Sequence, residues 1–342
     1  MRKCLASTTV LCLMLALVPI GCAREPKAVE PIKIGIQGPL TGSWAFEGQE
    51  GMVKPIQMLA DQVNSQGGLL GGRKIELVIV DDKGDPKEAA LAAQKLVNEG
   101  ANFVIGSYAS NCTEPATPIY ERAGILSITP IATAVRLTQH GYKHFFRTCM
   151  PDDRQGEFAA QFIVERLGKT KVALLHDNTT YAKGLADAAK AALTAKGATI
   201  VFFDAVNPGE KDFTAVLAKM KAAKPDVWYY TGFWAEAALL AKQRFAAGLG
   251  AQMMVGNACT NKEFVEMAGV QNAKGIIATM EPKPEDLEYP EAKKFMSDFK
   301  ARYGDLPGSI WAAFSADAFL VLVEAIKGSN STDADAVADY LR

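Results

Sequence analysis

Histidine is scarce in this chain, with His140, His144 and His176 the only imidazoles among 342 residues. No Gly-x-Ser-x-Gly elbow occurs, so hydrolysis by a serine–histidine pair has little to work with, although Asp177 follows His176 at a strand end. The six cysteines show no metal-binding spacing. The loop Gly38–Gly48 carries neither a dinucleotide glycine fingerprint nor a nucleotide P-loop ending. Three aspartates, Asp81, Asp82 and Asp85, crowd one loop but lack the terminal glutamate of a calcium loop, and read as turn and cap residues. Runs of one charge are missing too: 37 Lys and Arg stand against 38 Asp and Glu, a net charge of -1. Nucleic acid and anionic membrane surfaces are therefore not expected partners. Nothing in the sequence calls for a metal or a cofactor.

One long apolar run is present, Leu5 to Ile20, with Arg2 and Lys3 before it and Gly21-Cys22 after it. It reads as an export signal over residues 1–22. Gly21 before Cys22 resembles the lipobox at which bacterial lipoproteins are cleaved and lipidated on the cysteine, with residues 23–31 as a short tether. Plain secretion is the alternative. Cys112, Cys149 and Cys259 then remain in the mature body, an odd number that leaves at least one thiol free, and all three read as structural.

With 49% apolar and 22% charged residues, the rest is ordinary globular protein, long enough for two cores. The stretch Phe103–Pro118 organises it: an apolar strand Phe103-Val104-Ile105, a loop Gly106–Asn111, then a helix. A helix N-terminus carries roughly half a positive charge and several unpaired N–H groups, so a carboxylate at Ser110 would be bound without an arginine. The pattern recurs at Gly124–Thr133, another strand end that delivers a hydroxyl, and ligands of open parallel sheets collect at such ends. The alternative is that Ser110 and Thr133 only cap helices. Trp44 and Phe46 suit the wall of a small-molecule cleft, or simple packing.

From Ile32 strand and helix alternate, the alternation restarts near Met150, and the proline-rich Glu281–Asp286 breaks it again. This predicts an α/β protein of two doubly wound parallel-sheet domains joined by a hinge, residues 32–150 with 281–342 and residues 151–280, with the ligand in the cleft between them. Strands are expected at Lys74–Val80, Lys171–Asp177, Thr199–Phe203 and Met253–Val255, and helices from Lys211 and Ser309.

These residues resemble the substrate-binding proteins of bacterial ABC importers, of the leucine/isoleucine/valine-binding type with the type I periplasmic binding protein fold. Asp81-Asp82 with Asp85-Pro86, Val104-Ile105-Gly106, Ile128-Thr129-Pro130, His176-Asp177 with Tyr181, and Gly209–Phe213 carry the resemblance. It implies that Ser110 and Thr133 hold the ligand carboxylate, that the Thr133 hydroxyl and the Ile131 carbonyl meet the ammonium, and that Tyr181 and Phe233 close over the ligand. Asn257 falls where branched-chain binders have an acid for the ammonium, which removes a charge-assisted contact. Glu47, near the first-loop contact, could supply that charge, or be an exposed surface residue. Gly84 and Ala109 stand where the family has a disulfide. The implied protein is a periplasmic, non-enzymatic monomer that hands a small amino acid or carboxylate to ABC permease subunits. The ligand-sensing domain of a receptor, or a binder of amides or of aliphatic or aromatic acids, is the alternative.

Overall fold

The computed structural model describes residues 30–342; the export signal, Cys22 and most of the tether lie outside the described residues. Ten strands form two five-stranded sheets in which every pairing is parallel. The first contains β1 (Ile32–Gly38), β2 (Ile75–Asp81), β3 (Phe103–Gly106), β4 (Leu126–Thr129) and β5 (Phe145–Arg147), in the order β2-β1-β3-β4-β5. The second contains β6 (Lys171–His176), β7 (Thr199–Ala205), β8 (Val227–Tyr230), β9 (Gln252–Val255) and β10 (Ile277–Ala278), in the order β10-β9-β8-β6-β7. Read from the other edge, the second order repeats the first. In each sheet the order reverses beside the first strand, between β1 and β3 and between β6 and β8, and such reversals open a crevice at the carboxyl ends.

Helices cover both faces of each sheet, which is why the middle strands β3 and β8 are apolar throughout rather than alternating. Phe103 and Ile105 of β3 point to the core shared with the helices Lys54–Ser65 and Trp311–Ser329. Val104 between them packs against the helices Pro86–Asn98 and Ser110–Ala123 on the other face. In β6, Val172 and Leu174 meet the helix Thr180–Ala195, while Ala173 and Leu175 meet Thr214–Ala222 and Trp234–Ala246.

The chain leaves the first sheet after β5 and enters the helix Asp152–Gln161, which packs on Thr180–Ala195 of the second. After β10 it returns. The helix Pro290–Tyr303 is tied to Lys54–Ser65 by Gln62 donating to Asp298 (3.0 Å) and by the Tyr303 hydroxyl donating to the Lys54 carbonyl (2.9 Å). Two helix starts differ from expectation. Asp212 accepts the N–H of Thr214 (2.9 Å) in a turn, so that helix begins at Thr214 rather than Lys211. The Ser309 hydroxyl likewise accepts the N–H of Trp311 (3.2 Å), and the helix starts at Trp311.

Candidate ligand-binding site

The first half of the site begins where β3 ends. Gly106 has φ +147°, and a Cβ there would stand 2.3 Å from the Gln37 carbonyl oxygen, so the chain turns sharply away from β1 into Ser107–Ala109. Ala109 precedes the helix Ser110–Ala123 and has no side chain that could cap it. Ser110 does not cap it either: its hydroxyl accepts the N–H of Ala134 (3.2 Å), joining the loops after β3 and β4. Thr129 joins them again, donating to the Ser107 carbonyl (3.0 Å) and accepting the N–H of Ala132 (3.0 Å). Thr133 is held through its carbonyl, which accepts the Asp152 N–H (3.0 Å) and the Arg147 guanidinium (3.3 Å). Its hydroxyl is buried beside the Asp152 carboxyl and makes no hydrogen bond of good geometry.

The second half comes from the carboxyl ends of β6, β8 and β9. Asp177 accepts the N–H and hydroxyl of Thr179 and, with its other oxygen, the N–H of Phe233 (3.1 Å), locking two loops together. Burial raises its pKa, and these hydrogen bonds work against that rise. His176 accepts the Asn178 N–H through Nδ1 (3.1 Å), so His176-Asp177 is occupied in shaping the loop. The Thr179 hydroxyl caps Thr180–Ala195 and thereby orients Tyr181, whose hydroxyl donates to Oδ1 of Asn257 (2.7 Å).

Between the halves lies a tight cavity of about 20 Å³, so its walls stand close together. Ser110, Ile131, Thr133, Tyr181, Phe233 and Asn257, six of the seven residues singled out in the sequence, line it. Tyr108 and Trp311 line it as well. Sequence reasoning gave neither a role. Tyr108 sits inside the organising loop, where an aromatic beside a strand end was the available signal, and Trp311 opens the helix expected near Ser309. Trp44 adds a further ring, stacked on Phe233 across the cleft at 4.3 Å between centroids and 5.9 Å from Tyr108.

Glu47 is not among the lining residues. It opens a π-helical turn, Glu47–Val53, and is buried rather than exposed. Its carboxylate accepts from the Ser309 hydroxyl and from the Asn261 amide (3.0 Å), one on each side of the cleft. Burial raises its pKa, and both hydrogen bonds act to lower it. Gly51 permits this approach, since a Cβ there would stand 2.9 Å from the Ser309 hydroxyl. Behind the cavity, Asp152 is fully buried and neither carboxylate oxygen makes a hydrogen bond of good geometry. Burial pushes it up to about 7, with the Thr133 hydroxyl and Arg147 guanidinium pulling the other way. Cys112, Cys149 and Cys259 are free and buried, consistent with a structural reading. No cluster of metal-ligating side chains occurs among the described residues.

Residues 31–342 match the family model of periplasmic binding proteins. A Leu-, Ile-, Val-, Thr- and Ala-binding protein of Pseudomonas aeruginosa is 37% identical over 330 residues, covering 96% of this chain and 87% of its own. The branched-chain amino acid transporter substrate-binding protein LivJ of Streptococcus pneumoniae, solved with isoleucine, superimposes with a TM-score of 0.80 at 29% identity, covering 91% of this chain and 88% of its own. A solute-binding protein of an R. palustris ABC transporter, solved with benzoate, gives 0.79 at 26% identity, with 91% and 84% covered.

Proposed function

Because the chain belongs to the periplasmic binding protein family, we propose that it is the extracytoplasmic substrate-binding component of an ABC importer. It captures a small amino acid of branched-chain type, or a related carboxylate, and presents it to the permease subunits in the membrane. Cys22 carries the lipid that tethers it, and its role is binding rather than catalysis. Residues 32–150 with 281–342 form one closing body and residues 151–280 the other.

The observation that carries this reading is the cavity at the facing carboxyl ends of two sheets, walled by residues of both. The hydroxyl of Thr133 and the first turn of the helix at Ser110 form its polar end. A ligand carboxylate placed there receives N–H and O–H donors at the positive end of a helix. The ammonium faces the Ile131 carbonyl and Thr133 hydroxyl, while Tyr181 and Phe233 enclose the side chain. Titration calorimetry of the full chain with leucine, isoleucine, valine and alanine tests the proposal: one-to-one binding of at least one is expected, and binding of none would overturn it.

Asn257 favours a second reading, a binder of acids without an ammonium. Its Oδ1 already accepts from Tyr181, and an amide brings no charge to pair with an amine. Benzoate and 4-methylpentanoate belong in the same titration, and tighter binding of these than of any amino acid would select this reading.

A further inference from the structure

The chain returns from the second sheet to the first through a segment that passes behind Asn257. β10 pairs with β9 in parallel, Ala278 opposite Val255, and just past the strand end the Thr279 N–H donates to the Val255 carbonyl (3.0 Å). Thr279 is fixed further by Gln155, which donates to its carbonyl (2.9 Å), and by the Tyr229 hydroxyl (2.7 Å). Asn257 follows Val255 and Glu281 follows Thr279 at the same short remove, so the shared register brings their side chains against each other.

Glu281 does not line the ligand cavity. It borders a separate hollow at the hinge with Met150 and Met280, yet both its carboxylate oxygens are shut off from water and neither makes a hydrogen bond of good geometry. The donors beside it are the Asn257 side chain and the Met150 N–H. Asp152, the other buried acid of this region, has the Arg147 guanidinium close by. Glu281 has no such cation among the described residues, and no lysine or arginine lines the cavity.

Asn257 is placed to carry the influence of that charge to the ligand. Its Oδ1 accepts from the Tyr181 hydroxyl (2.7 Å), which leaves its amide N–H groups as the donors that face Glu281. An N–H bound to a carboxylate is charge-assisted, and linked hydrogen bonds polarise one another, so Oδ1 becomes a stronger acceptor. An amide oxygen has two lone pairs, and the one that Tyr181 leaves can take an N–H of the ligand. A ligand carboxylate at the same place would meet a lone pair with a negative charge behind it.

Resting on the proposed capture of an amino acid at this site, we propose that Glu281 makes the site select a ligand with an ammonium over a bare acid, acting through Asn257 as a positioning residue. The Asn257 amide oxygen then joins the Ile131 carbonyl and Thr133 hydroxyl as acceptors for the ammonium, and the ligand carboxylate lies at Ser110 and the helix start. The empty site holds an unpaired buried charge at a cost in stability, which the arriving ammonium offsets.

The test is calorimetry on the full chain and on Glu281→Gln with leucine and 4-methylpentanoate, or with whichever amino acid binds and its own deaminated counterpart. Wild type should bind the amino acid more tightly than the acid. In Glu281→Gln the ratio of the two affinities should fall at least about fivefold, the difference between a charge-assisted and a neutral hydrogen bond. The ligand-free variant should melt no lower than wild type, because an unpaired buried charge is gone while an oxygen remains to accept from Met150 and Asn257. A purely structural glutamate behaves otherwise: both ligands weaken by one factor, or the variant melts lower or fails to fold, and each of these results overturns the inference. An unchanged ratio overturns it too, while amino-acid capture stands wherever wild type binds an amino acid. Wild type that binds the acid more tightly overturns the inference and selects the reading as a binder of bare acids, and wild type that binds none of leucine, isoleucine, valine and alanine overturns the inference and amino-acid capture together.

Discussion

A hydroxyl without a partner is informative when it is buried. Thr133 is 2% exposed and its Oγ1 makes no hydrogen bond of good geometry, with the buried Asp152 carboxyl its polar neighbour, so a ligand oxygen would relieve a cost of up to about 1–3 kcal/mol. Ser110→Ala and Thr133→Val should each weaken ligand binding by about 1–3 kcal/mol, measured calorimetrically. Unchanged affinity in both variants would remove the carboxylate from this end of the cavity. Asp152 makes a separate prediction, about stability. Its carboxyl is raised from 3.8 to about 7 by burial, so the folded chain holds this proton more tightly than the unfolded chain. The stability it contributes is therefore full below pH 3.8 and is lost as pH rises through about 7. Asp152→Asn cannot ionise. The stability difference between wild type and variant should shift by up to about 4 kcal/mol between pH 4 and pH 8, at 1.36 kcal/mol per pKa unit. Urea unfolding at several pH values measures it, and a difference that does not move with pH would show that Asp152 ionises freely in the fold.

At the level of elements, Phe103-Val104-Ile105, Val172–Leu175 and Val227–Tyr230 were legible because a strand covered on both faces must be apolar at every position. The helix at Ser110 was legible too, but the job of its first residue was not. Capping would have turned the Ser110 hydroxyl to its own helix, whereas it accepts from Ala134, 24 residues away, a contact no local pattern encodes. Tyr108 and Trp311 escaped for the same reason, since the β3 loop and the helix Trp311–Ser329 meet only in three dimensions. Glu47 shows the converse. Its position near the site was readable, but its partners Asn261 and Ser309 lie more than 200 residues further on. The turn at Gly106 can be tested directly. Gly106→Ala forces a Cβ against the Gln37 carbonyl at a positive φ, and should destabilise the chain by at least about 1–3 kcal/mol. It should also weaken ligand binding, because it displaces Tyr108 and Ser110 together; equal thermal stability and affinity would mean the loop relaxes without moving them.

Over the whole molecule, a few contacts cross the cleft. Glu47 meets Asn261, Lys262 lies 4.9 Å over the Phe46 ring, Trp44 stacks on Phe233, and Arg136 joins Glu114 (2.9 Å) to Thr180 (3.1 Å). Two bodies that close on a ligand should scatter X-rays with a smaller radius when it is saturating, and identical curves would argue against closure. The cross-cleft contacts and the cavity contacts should differ in what they do to selectivity. Apparent affinity is the intrinsic affinity scaled by the fraction of molecules in the binding form, and that fraction is the same for every ligand. Asn261→Ala removes a partner of Glu47 without touching the cavity wall, so it should weaken leucine and 4-methylpentanoate by one common factor. Asn257→Asp changes the wall itself: a carboxylate there attracts an ammonium and repels a bare acid, so it should raise the leucine-to-acid affinity ratio. Both variants measured against both ligands separate the roles. If Asn261→Ala changes the ratio, Glu47 acts on the ligand after all; if Asn257→Asp leaves it fixed, Asn257 is not where the amine lies.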